Sequence, residues 1–267
     1  MPARTYLDDI LAGHRAAAAA ADGRTLEAVV EEARACPPTR GFRAALVAAA
    51  ADGVAVIAEV KRRSPSKGDI DAGLDPAVLA AAYEAGGASC VSVLTDERWF
   101  GGSAADLAAA RAAVAVPVLR KDFTVCPRDV ADARLMGADC VLLIAAALDD
   151  AELADCHALA RDLGIDALVE VHDEVEAERA VAVGADLIGV NQRDLVTFEV
   201  DTARAVRVAP TLPGGVVRVA ESGITGPADA AVLAGAGYHA VLVGEHLVRS
   251  GDPAAAVAAR RTATGRR

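Results

Sequence analysis

Met136-Gly-Ala-Asp-Cys-Val-Leu-Leu-Ile144 is the stretch that decides the fold. A glycine closes a helix-like segment and an apolar run of strand length follows at once, which is how a helix C-cap leads into a buried strand. The phrase recurs as Glu84-Ala-Gly-Gly-Ala-Ser-Cys-Val-Ser-Val-Leu94, as Val183-Gly-Ala-Asp-Leu-Ile-Gly-Val190 and as Ala236-Gly-Tyr-His-Ala-Val-Leu-Val243. Continuous apolar runs that alternate with Ala-rich amphipathic segments predict parallel strands joined by crossover helices. Eight strands are predicted, over 54–61, 89–95, 116–122, 140–147, 166–172, 187–193, 216–221 and 240–244. Eight strands, each with room for a helix behind it, predict an α/β fold of the (β/α)8 barrel type. The open doubly wound sheet is the alternative, and its G-x-G-x-x-G fingerprint at a first βα turn is missing. Residues 1–267 are read as one barrel domain, with 1–45 as an N-terminal helical extension packed on it and broken at Cys36-Pro-Pro38.

The composition agrees with a large aliphatic core: 54% of the residues are hydrophobic and only 3% aromatic. The longest apolar stretches, such as 140–148, fall well short of the roughly 20 residues that span a bilayer, so no membrane segment is expected. The N-terminus has Asp8 and Asp9 ahead of an alanine run, a poor secretory signal, and a cytoplasmic location follows. A net charge of −11 argues against a nucleic-acid surface. An anionic ligand would need a locally positive pocket, and Lys61-Arg-Arg-Ser-Pro-Ser-Lys67 brings four cations in seven residues. The five cysteines show no C-x-x-C spacing and the five histidines no H-x-x-x-H spacing, so neither a disulfide framework nor a metal site is expected.

Of 27 basic residues only Lys61, Lys67 and Lys121 are lysine. An ammonium can be tuned to give or take a proton, whereas a guanidinium stays charged, so lysines retained in an arginine-rich chain mark candidate chemistry. In a (β/α)8 barrel, catalytic groups come from the C-terminal ends of the strands. Polar groups recur there: Glu59 and Lys61 on the first strand, Lys121 on the third, Glu170 on the fifth, Asn191 and Arg193 on the sixth, Glu221 with Ser222 on the seventh. Two lysines among three glutamates predict a mutually neutralised network that pushes individual pKa values apart. A structural salt-bridge cluster is the plain alternative. Ser64 after the first strand, Ser222-Gly-Ile-Thr-Gly226 after the seventh and Val243-Gly-Glu245 after the eighth are positioned for a phosphate.

These segments resemble the indole-3-glycerol phosphate synthase family. The resemblance is carried by Ile57-Ala-Glu-Val-Lys-Arg-Arg-Ser-Pro-Ser-Lys-Gly68, Leu94-Thr-Asp-Glu-Arg-Trp-Phe100, Leu119-Arg-Lys-Asp-Phe123, Leu168-Val-Glu-Val-His172, Ile188-Gly-Val-Asn-Gln-Arg-Asp-Leu195 and Ala220-Glu-Ser-Gly-Ile224, in order along nearly the whole chain. It implies ring closure of 1-(2-carboxyphenylamino)-1-deoxyribulose 5-phosphate to indole-3-glycerol phosphate, with loss of CO2 and water. Lys121 is then the acid that polarises the C2′ carbonyl, and Glu170 and Glu59 are the acid and base candidates of the dehydration. Lys61 holds anionic groups, Asn191 and Arg193 orient the substrate, and Glu221 tunes the lysines. Phe100 and Phe123 wall the aromatic ring, while Ser64, Ser222, Gly223 and Gly244 take the phosphate. No metal or organic cofactor is implied, the partner is a small molecule, and a monomer is the working expectation. Gln192 and Cys126-Pro-Arg128 depart from the family's usual pattern, off the proposed catalytic groups. A Schiff-base aldolase and a ligand-binding paralogue without turnover are the rival readings. Service in primary tryptophan synthesis or in a specialised pathway is left open by the residues.

Overall fold

A computed structural model describes residues 5–20, 23–65 and 67–261. Eight parallel strands close into a barrel: β1 (Ala55–Val60), β2 (Cys90–Leu94), β3 (Val118–Lys121), β4 (Cys140–Ile144), β5 (Asp166–Val171), β6 (Leu187–Asn191), β7 (Val217–Glu221) and β8 (Ala240–Val243). Neighbours in sequence are neighbours in the barrel, and β8 meets β1 with Ala240 beside Ala55 and Leu242 beside Ile57. The recurring glycine phrase does what its chemistry requires. Gly87, Gly137, Gly184 and Gly237 all have positive φ. The N–H that follows each returns to a carbonyl of the helix it ends: Ala88 to Tyr83, Ala138 to Ala133, Ala185 to Ala180, Tyr238 to Leu233. This is the Schellman closure, and the chain leaves it aimed into the next strand.

Side chains alternate across a strand with period two, so each strand has one row facing the helices and one facing the barrel axis. On β1, Val56, Ala58 and Val60 pack outward among the helices. Ala55 and Ile57 pack inward with Leu119, Leu142, Leu168, Leu187 and Leu242. The inward rows are mostly aliphatic, with Ser92 midway along β2 and Asp166 at the start of β5 as exceptions, and most of their ionisable groups lie at the C-terminal ends, on one face.

The N-terminal extension is α1 (Tyr6–Ala19), α2 (Leu26–Arg34) and α3 (Phe42–Ala50). It runs past the predicted boundary at residue 45, because Phe42 and Leu46 are fully buried against the aliphatic end of the barrel interior. The backbone N–H groups of Arg40 and Arg43 donate to the carboxylates of Asp139 and Asp166, both at 2.9 Å, which fixes α3 under the barrel. The first helix reaches the polar rim, where Tyr6 meets the Trp99 ring edge-on at 4.7 Å and His14 pairs with Asp96 at 2.9 Å.

Each strand is shorter than its predicted range, and in β4 and β6 the structure shows why. β4 ends at Ile144 and the chain turns into a 3-10 helix, Ala145–Ala147. Arg179 captures the carbonyls of Ala145 and Leu148 there, at 2.8 and 2.6 Å. β6 ends at Asn191 because the Asn191 side chain accepts the Arg193 N–H at 3.0 Å and turns the backbone out of the barrel. Arg193 then pairs singly with Val200 in the loop. No helix among the described residues is long and apolar enough to cross a membrane.

Gly86 ends the helix Pro76–Ala85 where the C-terminal helix Pro253–Arg261 crosses it, and a β-carbon at Gly86 would run into the backbone of Ala254. Backbone cannot step aside as a long side chain can. Gly86→Ala should therefore cost about 1–3 kcal/mol of stability and lower the melting temperature by several degrees. An unchanged melt would mean that the two helices do not touch at this point.

Candidate active site

The inward rows end in charge. Glu59 follows Ala55 and Ile57, Lys121 follows Leu119, Glu170 follows Leu168, and Glu221 follows Val217 and Val219. A cavity of about 590 Å³ opens above them. Glu59, Lys61, Lys121, Glu170, Asn191 and Glu221 line it together with Ser64, Phe100, Phe123, Arg193, Ser222, Gly223 and Gly244, so the structure brings every sequence candidate to one place.

Lys121 is the centre of the floor. Its Nζ lies 2.9 Å from Glu170 Oε2 and 3.4 Å from Glu221 Oε2. Asn191 donates from Nδ2 to the other Glu170 oxygen at 3.0 Å. Lys61 and Glu59 form a second pair, Nζ to Oε1 at 2.6 Å, as expected for residues two apart on one strand edge. Two glycines make room for these carboxylates: a β-carbon at Gly189 would strike Glu221 Oε1, and one at Gly244 would strike Glu59 Oε1.

The buried carboxylates diverge. Burial works to raise the Glu170 pKa, but the Lys121 charge outweighs it, with help from His172 and the Asn191 amide, and the group sits at about 2. Burial dominates at Glu221, with the charges of Glu170 and Glu59 adding to it against Lys121, and the carboxyl is pushed up to about 8. Lys121 would lose its proton more readily through burial alone, yet Glu170, Glu221 and Glu59 hold it above its ordinary range. The floor thus holds charged Lys121 and a Glu170 biased toward its ionised form, beside a Glu221 that burial and its carboxylate neighbours bias toward the protonated form.

The walls are of two kinds. Phe100 and Phe123 face the cavity with ring centroids 6.2 Å apart and planes at 38°. Ser64 also lines the cavity, and its hydroxyl is buried without a hydrogen-bond partner. Ser222 and Gly223 are consecutive left-handed residues, at φ of 65° and 72°. A non-glycine in that region costs of order 1–3 kcal/mol and persists only where the surroundings hold it. Gln192 does so by donating to the Ser222 carbonyl at 2.8 Å, which gives this departure from the family pattern a supporting task.

The basic segment after β1 is less of an anion pocket than its sequence predicts. Arg62 turns away to pair with Asp106, and Arg63 donates to the carbonyls of Glu97 and Arg98. Only Lys61 and Lys67 of its four cations line the cavity. Arg193 lines it too, with one arm on the Phe198 carbonyl at 3.0 Å. His14, Asp96 and Asp122 place one ligand-type atom each within 4.8 Å of one another. Those groups are already engaged: Asp96 also accepts from the Trp99 N–H, and Asp122 accepts from Thr95, Arg120 and the Phe123 N–H. The cluster is a clasp between α1 and the rim.

Three residues escape the sequence reading. Lys67 stands out in the sequence as a retained lysine without an assigned place, and it lines the cavity. A glycine inside a strand signals close approach of another group, and Gly189 is such a glycine. His172 lies two residues beyond Glu170, so the same spacing that links Glu59 to Lys61 puts it on the inward side.

The model of the indole-3-glycerol phosphate synthase family matches residues 7–259. The chain belongs to this family. It is 55% identical over 260 residues to indole-3-glycerol phosphate synthase of a Nocardioides species, covering 95% of this chain and 96% of that protein. The enzymes of Mycolicibacterium smegmatis and Mycobacterium leprae are 53% and 54% identical, over 97% and 95% of this chain and 94% and 93% of their own lengths. For a family member, the divided carboxylates are the part of the site that electrostatics can test. Glu221 has its folded pKa raised, so the stability it contributes is present below the ordinary carboxylate range and is lost as pH rises toward about 8. Glu170 has the opposite sign, and its contribution fades only as pH falls toward about 2. Melting curves from pH 5 to about 9 should therefore show Glu221→Gln losing less stability with rising pH than wild type. Parallel curves would mean that Glu221 is ionised throughout.

Proposed function

We infer that the chain is an indole-3-glycerol phosphate synthase, a carboxy-lyase of tryptophan biosynthesis. It closes 1-(2-carboxyphenylamino)-1-deoxyribulose 5-phosphate to indole-3-glycerol phosphate with release of CO2 and water. The observation that carries this reading is Lys121, a charged donor held between Glu170 and Glu221 at the base of a cavity with aromatic rings on one wall.

The residues divide the work as follows. Phe100 and Phe123 take the aryl ring, Arg193 and Lys61 its carboxylate, and Ser64 with the Ser222, Gly223 and Gly244 backbone the phosphate. Asn191 keeps Glu170 oriented. As the arene carbon attacks, negative charge develops on the C2′ oxygen and Lys121 delivers a proton to it. Its raised pKa keeps the donor loaded, and the developing charge supplies the driving force. Loss of CO2 restores the aromatic ring. Once Lys121 is neutral, the largest of the interactions that depress the Glu170 pKa is gone, so Glu170 can take up a proton and pass it to the departing hydroxyl. Glu59 accepts the proton leaving C1′, and Glu221 sets the field around the lysine. Each transfer has a side chain in place, so the chemistry as written calls on no metal or organic cofactor. We place the enzyme in the cytoplasm as a monomer, and the net charge of −11 supports the reading that it has no nucleic-acid partner.

Mixing the protein with this substrate in EDTA and following indole fluorescence tests the reading: rapid growth of signal is expected, and a flat trace would refute it. Lys121→Arg retains the charge but not the proton donor, so kcat should fall by about 10²-fold or more while ligand affinity changes little. Near-wild-type turnover would remove Lys121 from the role. Glu170→Gln should allow condensation and stall dehydration, seen as an intermediate in rapid-quench samples; no accumulation would assign the later acid elsewhere.

A further inference from the structure

The reaction just proposed does not balance in protons within the site. One proton goes onto the C2′ oxygen and a second onto the hydroxyl that leaves as water, while one is released from C1′. The carboxylate departs as neutral CO2, so each turnover takes one proton from solvent. The C1′ proton can restore what Lys121 gave. Over a turnover the proton for the leaving hydroxyl has to be replaced from outside, yet Glu170 is only 1% exposed.

His172 occupies the position such a supply needs. Its Nδ1 bonds to Glu176 Oε2 at 2.9 Å, and Glu176 also takes the His172 backbone N–H at 2.8 Å, which fixes the ring. Its Nε2 is buried with no hydrogen-bond partner and stands 3.6 Å from Glu170 Oε1. The outer end of the pair reaches water, with 11% of the His172 side chain and 17% of Glu176 exposed. The charged groups facing the ring are Glu170 on its own strand, Glu176 on the following helix and Arg204 from the helix after β6. A buried polar nitrogen left unpaired costs of order 1–3 kcal/mol and calls for a reason. We propose that His172 stores the solvent proton of each turnover and passes it from Nε2 to Glu170 Oε1 after Lys121 has discharged.

In that step the Nε2–H bond breaks, a Glu170 O–H bond forms, and the imidazolium becomes a neutral ring that keeps its Nδ1–H on Glu176. Glu170 then gives the same proton to the departing hydroxyl. Reloading takes one solvent proton through the exposed Glu176 end of the pair and returns the ring to the imidazolium. Burial works against the charged ring, but the Glu176 hydrogen bond and the Glu170 and Glu176 charges outweigh it and raise the His172 pKa. The resting ring is thus biased toward the loaded form, and Glu170, ionised while Lys121 is charged, waits for the signal that Lys121 provides.

This inference rests on the synthase reading, and the test separates the two because wild type is assayed alongside: a wild type without turnover refutes the function itself. His172→Ala and Glu176→Gln are compared with wild type for kcat, KM and the pH profile, with melting temperatures to verify folding. In His172→Ala, kcat should fall about 10²-fold with KM little changed, and added imidazole should restore it in proportion to concentration while leaving wild type unaffected. Glu176→Gln removes the partner that raises the ring pKa, so the alkaline limb of kcat should move to lower pH. Wild-type kcat in His172→Ala would overturn the proposal. So would a loss that imidazole does not rescue together with an unmoved alkaline limb in Glu176→Gln, which would leave His172 a packing role. Should His172→Ala fail to fold, the Glu176→Gln limb decides alone.

Discussion

One ammonium among buried carboxylates organises this molecule. Charges in a barrel mouth lose their hydration, and a lone ion there costs several kcal/mol even after relaxation. Lys121 is tolerated because Glu170 meets it at 2.9 Å and Glu221 at 3.4 Å. The carboxylates in turn need Lys121, and each needs further support: Asn191 on Glu170, the empty space over Gly189 for Glu221. The raised pKa of Glu221 biases it toward the protonated form and so offsets the excess negative charge that three glutamates bring to two lysines. The site is thereby close to neutral at rest and unbalanced by a single proton transfer, which makes the loss of the Lys121 proton an event that its neighbours feel.

The rest of the fold serves to hold that group of side chains still. The aliphatic layers below it, closed from beneath by Phe42 and Leu46 of α3, give the ionic layer a rigid base. The rim is braced from the N-terminal side by α1, through Tyr6 on Trp99 and His14 on Asp96. β1, β3, β5 and β7 each deliver one charged residue to the ionic layer and β6 adds Asn191, and the hydrogen-bonded register between the strands sets how far apart those residues stand. A shift of one residue in any strand would turn its polar end outward among the helices.

Much of this was legible in the residues. The glycine phrase around Gly137 and its three relatives marked the helix ends, because a left-handed closure is a local property of a few bonded neighbours. The inward position of Glu59, Lys121, Glu170 and Glu221 followed from apolar residues two places before each, since period two is also local. Strand ends were less legible. β4 stops where Arg179, more than thirty residues later, takes its carbonyls, and β6 stops where Asn191 captures the Arg193 N–H. The role of the basic segment is hidden from the sequence for the same reason: Arg62 and Arg63 find Asp106 and the Glu97 and Arg98 carbonyls, partners in the two helices that follow β2.

The sequence by itself determined the number and kind of elements, the face each strand turns inward and the identity of the groups collected at one rim, because these depend on spacing along the chain. Only the tertiary structure decided what those groups are chemically. Glu170 and Glu221 are the same side chain at the end of similar strands, yet one lies near a pKa of about 2 and the other near about 8. The difference arises from which carboxylate stands nearer Lys121, which one receives the Asn191 amide and which faces His172. Distances of a few tenths of an ångström between strands far apart in sequence set those terms, and in a site shielded from water such differences are not screened.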